Sequence, residues 1–203
     1  MSAEADTIWD ETNTATDTER SLPTYTVTVT VDEIQLAKKY QDECATKYKA
    51  SSDLNNSKAP EGAELIGKVG EFAFGKLVDR TPDLKYREGG DGGIDFAING
   101  IKLDVKAKNN PKADKWRFEA VKENGRKVVL TADYYVFVRC DLQGATGEVM
   151  GWLPRSTFDM RRTVAGTTRD GGYGGWRNYE VNLDELRPID ELLRELGYDR
   201  TGN

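Results

Sequence analysis

The chain contains no histidine. That absence excludes Ser-His and Cys-His nucleophilic pairs, histidine-ligated zinc and histidine-metal nucleases, so any acid-base chemistry falls to Asp, Glu, Lys or Tyr. Cysteine is scarce as well. Cys44 and Cys140 have no metal-ligand spacing and form no framework of bridges, and both read as reduced core residues. No run of about 18 or more apolar residues offers a membrane span, and the acidic first residues lack the basic and apolar regions of a secretory signal. A soluble cytoplasmic protein with no membrane partner is expected.

A net charge of −6 over 203 residues looks wrong for a nucleic-acid partner until it is divided along the chain. Residues 1 to 20 hold six acids against Arg20 alone, which leaves 29 acids and 28 bases in the body. Within that body, residues 102 to 127 carry nine Lys or Arg against four acids, and residues 155 to 177 carry five Arg against two. Such clusters can follow a phosphate backbone, or they can be solvated basic surface.

Residues 1 to 23 are rich in Thr, Asp, Glu, Ser and Ala, too polar to offset their ordering entropy, and form a disordered acidic tail in this reading. A globular unit is expected over 24 to 160. Residues 161 to 203, a Gly/Arg loop and a C-terminal helix interrupted at Pro188, are expected to pack on it. Val and Thr alternate from Tyr25 to Val31, a strand signal, with Asp32 as N-cap of a helix from about Glu33 to Ala50. Ser51 to Pro60 reads as a polar link. A second helix is expected over about 61 to 78, with Ile66, Val69, Ala73 and Leu77 as its core stripe and Glu71 off that stripe. A short strand near Leu84 to Arg87 and a glycine-rich approach over 88 to 93 follow. Lys112 to Lys127 is a short helix or a ragged hairpin. Tyr134 to Cys140 is apolar throughout, as a strand buried on both faces would be, and Glu148 to Leu153 is a further strand. Thr163 to Trp176 mixes glycine, arginine and aromatic rings, which suits either a strand-guiding loop or an irregular surface excursion.

The most informative stretch runs from 92 to 106, Gly-Gly-Ile-Asp-Phe-Ala-Ile-Asn-Gly-Ile-Lys-Leu-Asp-Val-Lys. Asn99-Gly100 favours a two-residue turn with positive φ at both positions. Pairing outward from it sets Phe96 opposite Leu103, Asp95 opposite Asp104, Ile94 opposite Val105 and Gly93 opposite Lys106. Alternation then puts Ile94, Phe96, Ile98, Ile101, Leu103 and Val105 on one face and Asp95, Lys102, Asp104 and Lys106 on the other. Opposed side chains lie roughly 4.5 to 5.5 Å apart at Cβ, where like charges destabilise the pair. A divalent cation shared by both carboxylates would compensate. The bland alternative is the wet face of an amphipathic hairpin.

A glutamate on the preceding helix (Glu71 in Gly-Lys-Val-Gly-Glu-Phe-Ala-Phe), Asp95 in Gly-Gly-Ile-Asp-Phe, and Asp104 with Lys106 in Asp-Val-Lys together resemble the PD-(D/E)XK nuclease superfamily. The likeness spans residues 61 to 108. Ile94 stands where the motif's proline would be, Asp104 replaces the commoner glutamate, and Asp91 is a competing acid. The resemblance implies an α/β fold with a restriction-endonuclease-like mixed central sheet flanked by helices, an αβββαβ core. It implies Mg²⁺, with Mn²⁺ able to substitute, and hydrolysis of phosphodiester bonds in DNA by an endonuclease. Carried over by position, Asp95, Asp104 and the Val105 carbonyl become metal ligands. Glu71 becomes a further acidic ligand or water-positioning group, and Lys106 the charge beside the attacking water. Lys108, Lys112, Arg161, Arg162 and Arg169 are the candidate DNA contacts, no organic cofactor is implied, and cutting two strands would suit a homodimer. The rival expectations are a catalytically inactive nucleic-acid-binding or assembly module on the same fold, and a structural or inhibitory partner protein that uses the acidic tail.

Overall fold

Turn chemistry and alternation set the local elements, and a computed structural model that describes residues 24–50, 62–87, 92–122, 124–167 and 173–198 places them. The acidic tail, the 51–60 link, Asp91, Arg169 and most of the 88–93 approach lie outside the described residues.

Strand β1 (Tyr25–Thr28) leads into helix α1 (Val31–Ala50). The cap is Thr30 rather than Asp32. The Glu33 amide donates to the Thr30 hydroxyl while the Thr30 amide donates to the Glu33 carboxylate at 2.7 Å, a reciprocal capping box that Asp32, already inside the first turn, does not join. Helix α2 (Ala63–Leu77) follows the expected stripe, with Val69, Ala73 and Leu77 buried. It is followed by extended chain and not by the strand expected over 84 to 87. There Asp83 accepts the Lys85 amide and the Arg87 guanidinium, local bonds that compete with strand pairing.

The hairpin forms in the anticipated register. Strands β2 (Phe96–Ile98) and β3 (Ile101–Asn109) pair Phe96 with Leu103, Ala97 with Lys102 and Ile98 with Ile101, around Asn99 and Gly100 at φ 50° and 83°. β2 stops at Phe96, so the ladder does not extend to the pairs Asp95–Asp104, Ile94–Val105 and Gly93–Lys106.

Strands β5 (Tyr134–Asp141) and β6 (Thr146–Pro154) complete a mixed five-stranded sheet in the order β1-β6-β5-β3-β2, in which only β3 and β5 run parallel. The crossover between those two contains no helix among the described residues. It carries strand β4 (Lys115–Val121) and a ragged return in which the Lys122 and Val128 amides donate to the Arg126 and Ala120 carbonyls. β4 pairs with β8 (Tyr173–Asn182), which pairs with β7 (Val164–Thr167), forming a second, three-stranded sheet. Much of the expected Gly/Arg loop is therefore strand. A 3₁₀ turn at Leu183–Glu185 and helix α3 (Ile189–Glu195) finish the described chain.

The central strand β5 shows how the layers stack. Val136, Val138 and Cys140 point into a core shared with α1, α2 and α3, whereas Tyr135 and Phe137 point into a second core with Trp116, Phe158, Tyr179 and Val181. The architecture is mixed α/β, with helices on one face of the five-stranded sheet and the three-stranded sheet on the other. A strand covered on both faces must be apolar throughout, which is the pattern Tyr134 to Cys140 displays. Cys44 and Cys140 are free and buried. No helix among the described residues is long and apolar enough to cross a membrane.

Candidate functional site on the β2–β3 hairpin

Because β2 ends early, β3 beyond Leu103 is bordered by the 92–95 chain instead of a strand. The Asp95 amide still donates to the Leu103 carbonyl at 2.8 Å. One step further, the Asp95 side chain takes over: its Oδ2 accepts the Val105 amide at 2.7 Å, as a partner strand's carbonyl would have done. The carboxylate is thus fixed on the backbone of the residue after Asp104. Thr131 holds the approach by donating to the Gly92 carbonyl. Gly93 adopts φ 74°, and a Cβ there would stand 3.3 Å from the Thr131 hydroxyl and 3.8 Å from Asp104 Oδ2, so glycine keeps this chain close against the acid.

Asp104 and Lys106 share the face of β3 turned toward the second sheet, as their spacing of two dictates. Lys106 Nζ lies 2.7 Å from Asp104 Oδ2 and 5.2 Å and 5.9 Å from the ring centres of Phe118 and Tyr135. Asp104 is buried, whereas the Lys106 side chain keeps 27% of its surface. Burial, and then the negative charge of Asp104, push the Tyr135 phenol far above its ordinary pKa, so this ring is a neutral wall and not an acid-base group.

Glu71 is reached from the opposite side of β3. α2 sits on that strand through Gly70, whose missing side chain faces Ala107 and Val105. Although it lies off the core stripe, the glutamate is buried. It is 5% exposed and accepts from Lys68 at 2.7 Å, and both side chains of the pair are 7% exposed. Lys68 lies over the Tyr40 ring at 4.8 Å and lines, together with Asp95, Lys85 and Arg87, a cavity of about 10 Å³, the room one water needs. The sequence reasoning passed over Lys68. Its only signal was its position, one helical turn before Glu71 in Gly-Lys-Val-Gly-Glu.

The structure therefore joins Asp104 to Lys106, Asp95 to Val105, and Glu71 to Lys68. The first two pairs are continuous along β3, and the third approaches Asp95 through the small cavity. Among the described residues, no three acidic or thiol side chains gather into a metal-holding group. Asp95 and Asp104 offer carboxylate oxygens, the ligand type that a hard ion such as Mg²⁺ takes.

The remaining candidates scatter. Lys108 and Lys112 are exposed; Lys108, with Lys115, Trp116 and Arg117, lines an open groove of about 490 Å³ and donates to the Lys115 carbonyl at 3.0 Å. Lys115 and Arg117 both bind Glu180. Arg161 is engaged internally, donating to the Glu180 carbonyl at 2.7 Å and to both Glu185 oxygens at 2.5 Å. Arg162 is exposed.

Compared with protein-family models the chain matches none, and a search of curated proteins finds no match.

Proposed function

We propose that this protein is a divalent-metal-dependent endonuclease that hydrolyses phosphodiester bonds in DNA, on a variant of the restriction-endonuclease-like core. The observation that carries the reading is the contact of Asp104 with Lys106 on one strand face, with Asp95 fixed to the amide of the residue between them. Support for the core comes from the succession of α2, the hairpin and a parallel β5, although a strand and not a helix fills the crossover.

The roles follow from chemistry. A hard cation held by Asp95 and Asp104 would neutralise charge on the phosphate. Asp104 also holds the Lys106 ammonium where it can orient a water or stabilise an oxyanion, and the Phe118 and Tyr135 rings restrict its motion. The carbonyl of Val105 is a further oxygen on the same strand. Lys108, Lys112 and Arg162 are exposed cations for a phosphate backbone.

Purified protein incubated with plasmid, linear and branched DNA, with and without Mg²⁺ or Mn²⁺, tests the activity. Asp104→Ala and Lys106→Ala should each abolish metal-dependent cleavage with the fold intact by circular dichroism. Full activity in either variant would remove the mechanism.

A second reading, a nuclease-fold module that binds nucleic acid without cutting it, draws on one observation: Glu71 and Asp104 are each already matched to a lysine. Calorimetric titration with Mn²⁺ separates the two, because an abandoned site gives no heat that depends on Asp95 or Asp104.

A further inference from the structure

The three-stranded sheet has an open edge. β4 stands first in its strand order and pairs with β8 on one side only. The Leu183 amide donates to the Asp114 carbonyl, so residues 114 and 116 turn their backbone groups toward β8, and Lys115 and Arg117, alternating with them, turn theirs away. The Lys115 carbonyl fits that direction, since it accepts from Lys108 of β3. Along this edge runs the groove of about 490 Å³, lined by Lys108, Lys115 and Arg117 and by one acid, Asp114. Counting Glu180, which bridges Lys115 and Arg117, the groove holds three cations against two acids. An unpaired strand edge beside cations suits an extended acidic peptide, which adds as a further strand through main-chain hydrogen bonds.

The chain itself carries such a peptide. Residues 7 to 18 contain five threonines, Ile8 and Trp9, all strand-favouring types, with three acids (Asp10, Glu11, Asp17), no base, no glycine and no proline. Their attachment point is close to the groove. Where the described chain starts, the Thr24 hydroxyl donates to Glu148 at 2.9 Å, Glu148 meets Arg139 at 3.5 Å, and Arg139 donates to the carbonyl of Ala113, the residue before Asp114. Thr26, Glu148, Arg139 and Lys108 form one row across β1, β6, β5 and β3. That row spans three strand spacings, about 15 Å, and the six residues from Thr18 to Thr24 reach about 20 Å when extended.

We propose that residues 7 to 18 dock as an added strand on the open edge of β4, so that the groove of Lys108, Lys115 and Arg117 is a surface for the chain's own acidic segment. An anionic ligand entering the groove must displace that segment. The docking goes beyond the nuclease reading, and only its competition with DNA rests on that reading.

The test is NMR on the full chain labelled with ¹⁵N. Cys44 and Cys140 are buried, so a nitroxide on Thr14→Cys reports from residue 14. It should broaden the amide signals of Lys115 and Arg117, and salt at about 1 M should weaken that broadening. Both amides should exchange with solvent at least about tenfold more slowly in the wild type than in a chain carrying Asp10→Asn, Glu11→Gln and Asp17→Asn. Lys108→Glu should release the segment from the groove side. A single-stranded oligonucleotide should bind the neutralised chain at least about tenfold more tightly than the wild type. No broadening at Lys115 and Arg117, or equal exchange in wild type and neutralised chain, overturns the docking. Broadening passed from a nitroxide-bearing ¹⁴N chain to an unmodified ¹⁵N chain in a mixture overturns it too, because the occupant is then a second copy. Docking observed in a protein that neither binds nor cuts DNA supports the added strand and overturns the nuclease. DNA cleavage without broadening overturns the docking alone.

Discussion

Replacing Gly70 by alanine measures how closely α2 must sit on β3. A Cβ at this position would stand under 3.0 Å from the Ala107 Cβ, 3.6 Å from the Ala107 Cα and 3.7 Å from a Val105 methyl. Carbon atoms rest about 3.5 to 4.0 Å apart, so helix and strand must part by at least about 0.5 Å. The obstructing Ala107 Cβ is fixed to the backbone and cannot rotate away. Alanine gains about 1 kcal/mol over glycine in a helix interior, but overpacking a closed core costs about 1 to 3 kcal/mol. The clash with fixed backbone-borne atoms decides the sign, with a net loss of up to about 2 kcal/mol in urea unfolding at unchanged m-value. Ala107→Gly in the Gly70→Ala background removes the obstructing atom and should recover most of that loss, a coupling of up to about 2 kcal/mol. A Gly70→Ala protein as stable as the wild type, or no coupling to residue 107, would refute the close seating of this helix.

Arg161→Ala should lower stability by about 1.5 to 3 kcal/mol, the range for hydrogen bonds to charged groups, because the Glu180 carbonyl loses the Arg161 donor and Glu185 keeps only those of Asn182. The salt slope of DNA binding should stay unchanged in that variant, whereas a lost phosphate contact would lower it by about 1. Thr30→Ala removes one half of the capping box and should cost about 1 kcal/mol in the same unfolding assay; no change would place the start of α1 elsewhere. The Arg117 hydrogen bond, reinforced by Lys115, holds Glu180 below its ordinary value of 4.5. A folded pKa below the unfolded one gives stability that is present above 4.5 and is lost as pH falls through the folded value. Wild type should therefore lose more stability on acidification than Glu180→Gln, and parallel acid limbs for the two proteins would remove that role.

The readable and unreadable parts of this chain divide by the range of the interactions that fix them. Asn99-Gly100, the two-residue alternation of 101 to 106 and the unbroken apolar run at 134 to 140 are decided by backbone conformation and by which faces are buried, so the hairpin register, the shared face of Asp104 and Lys106, and the double burial of β5 were all in the sequence. β4 carries its own alternation, with Trp116, Phe118 and Ala120 against Lys115, Arg117 and Glu119. Its charge nonetheless left helix and hairpin both open, because the partner that settles the matter, β8, lies some sixty residues on.

Contacts between distant elements decided the rest. β2 stops at Phe96 because the Asp95 side chain takes the Val105 amide, a competition between side chain and backbone that periodicity does not register. Glu71 is off the apolar stripe yet buried, since α2 is covered by α1 as well as by the sheet and Lys68 travels inward with it. Arg161 reads as a phosphate contact by composition and is instead held by Glu180 and Glu185, which only the packing of β8 and the following turn against residue 161 brings within reach. The sequence alone determined the chemistry on offer, acids and lysines with no histidine. Only tertiary structure decided which of those charges are buried and which meet a distant partner, as Lys68 and Glu71 are buried and Arg161 meets Glu185, because packing between elements has no counterpart along the chain.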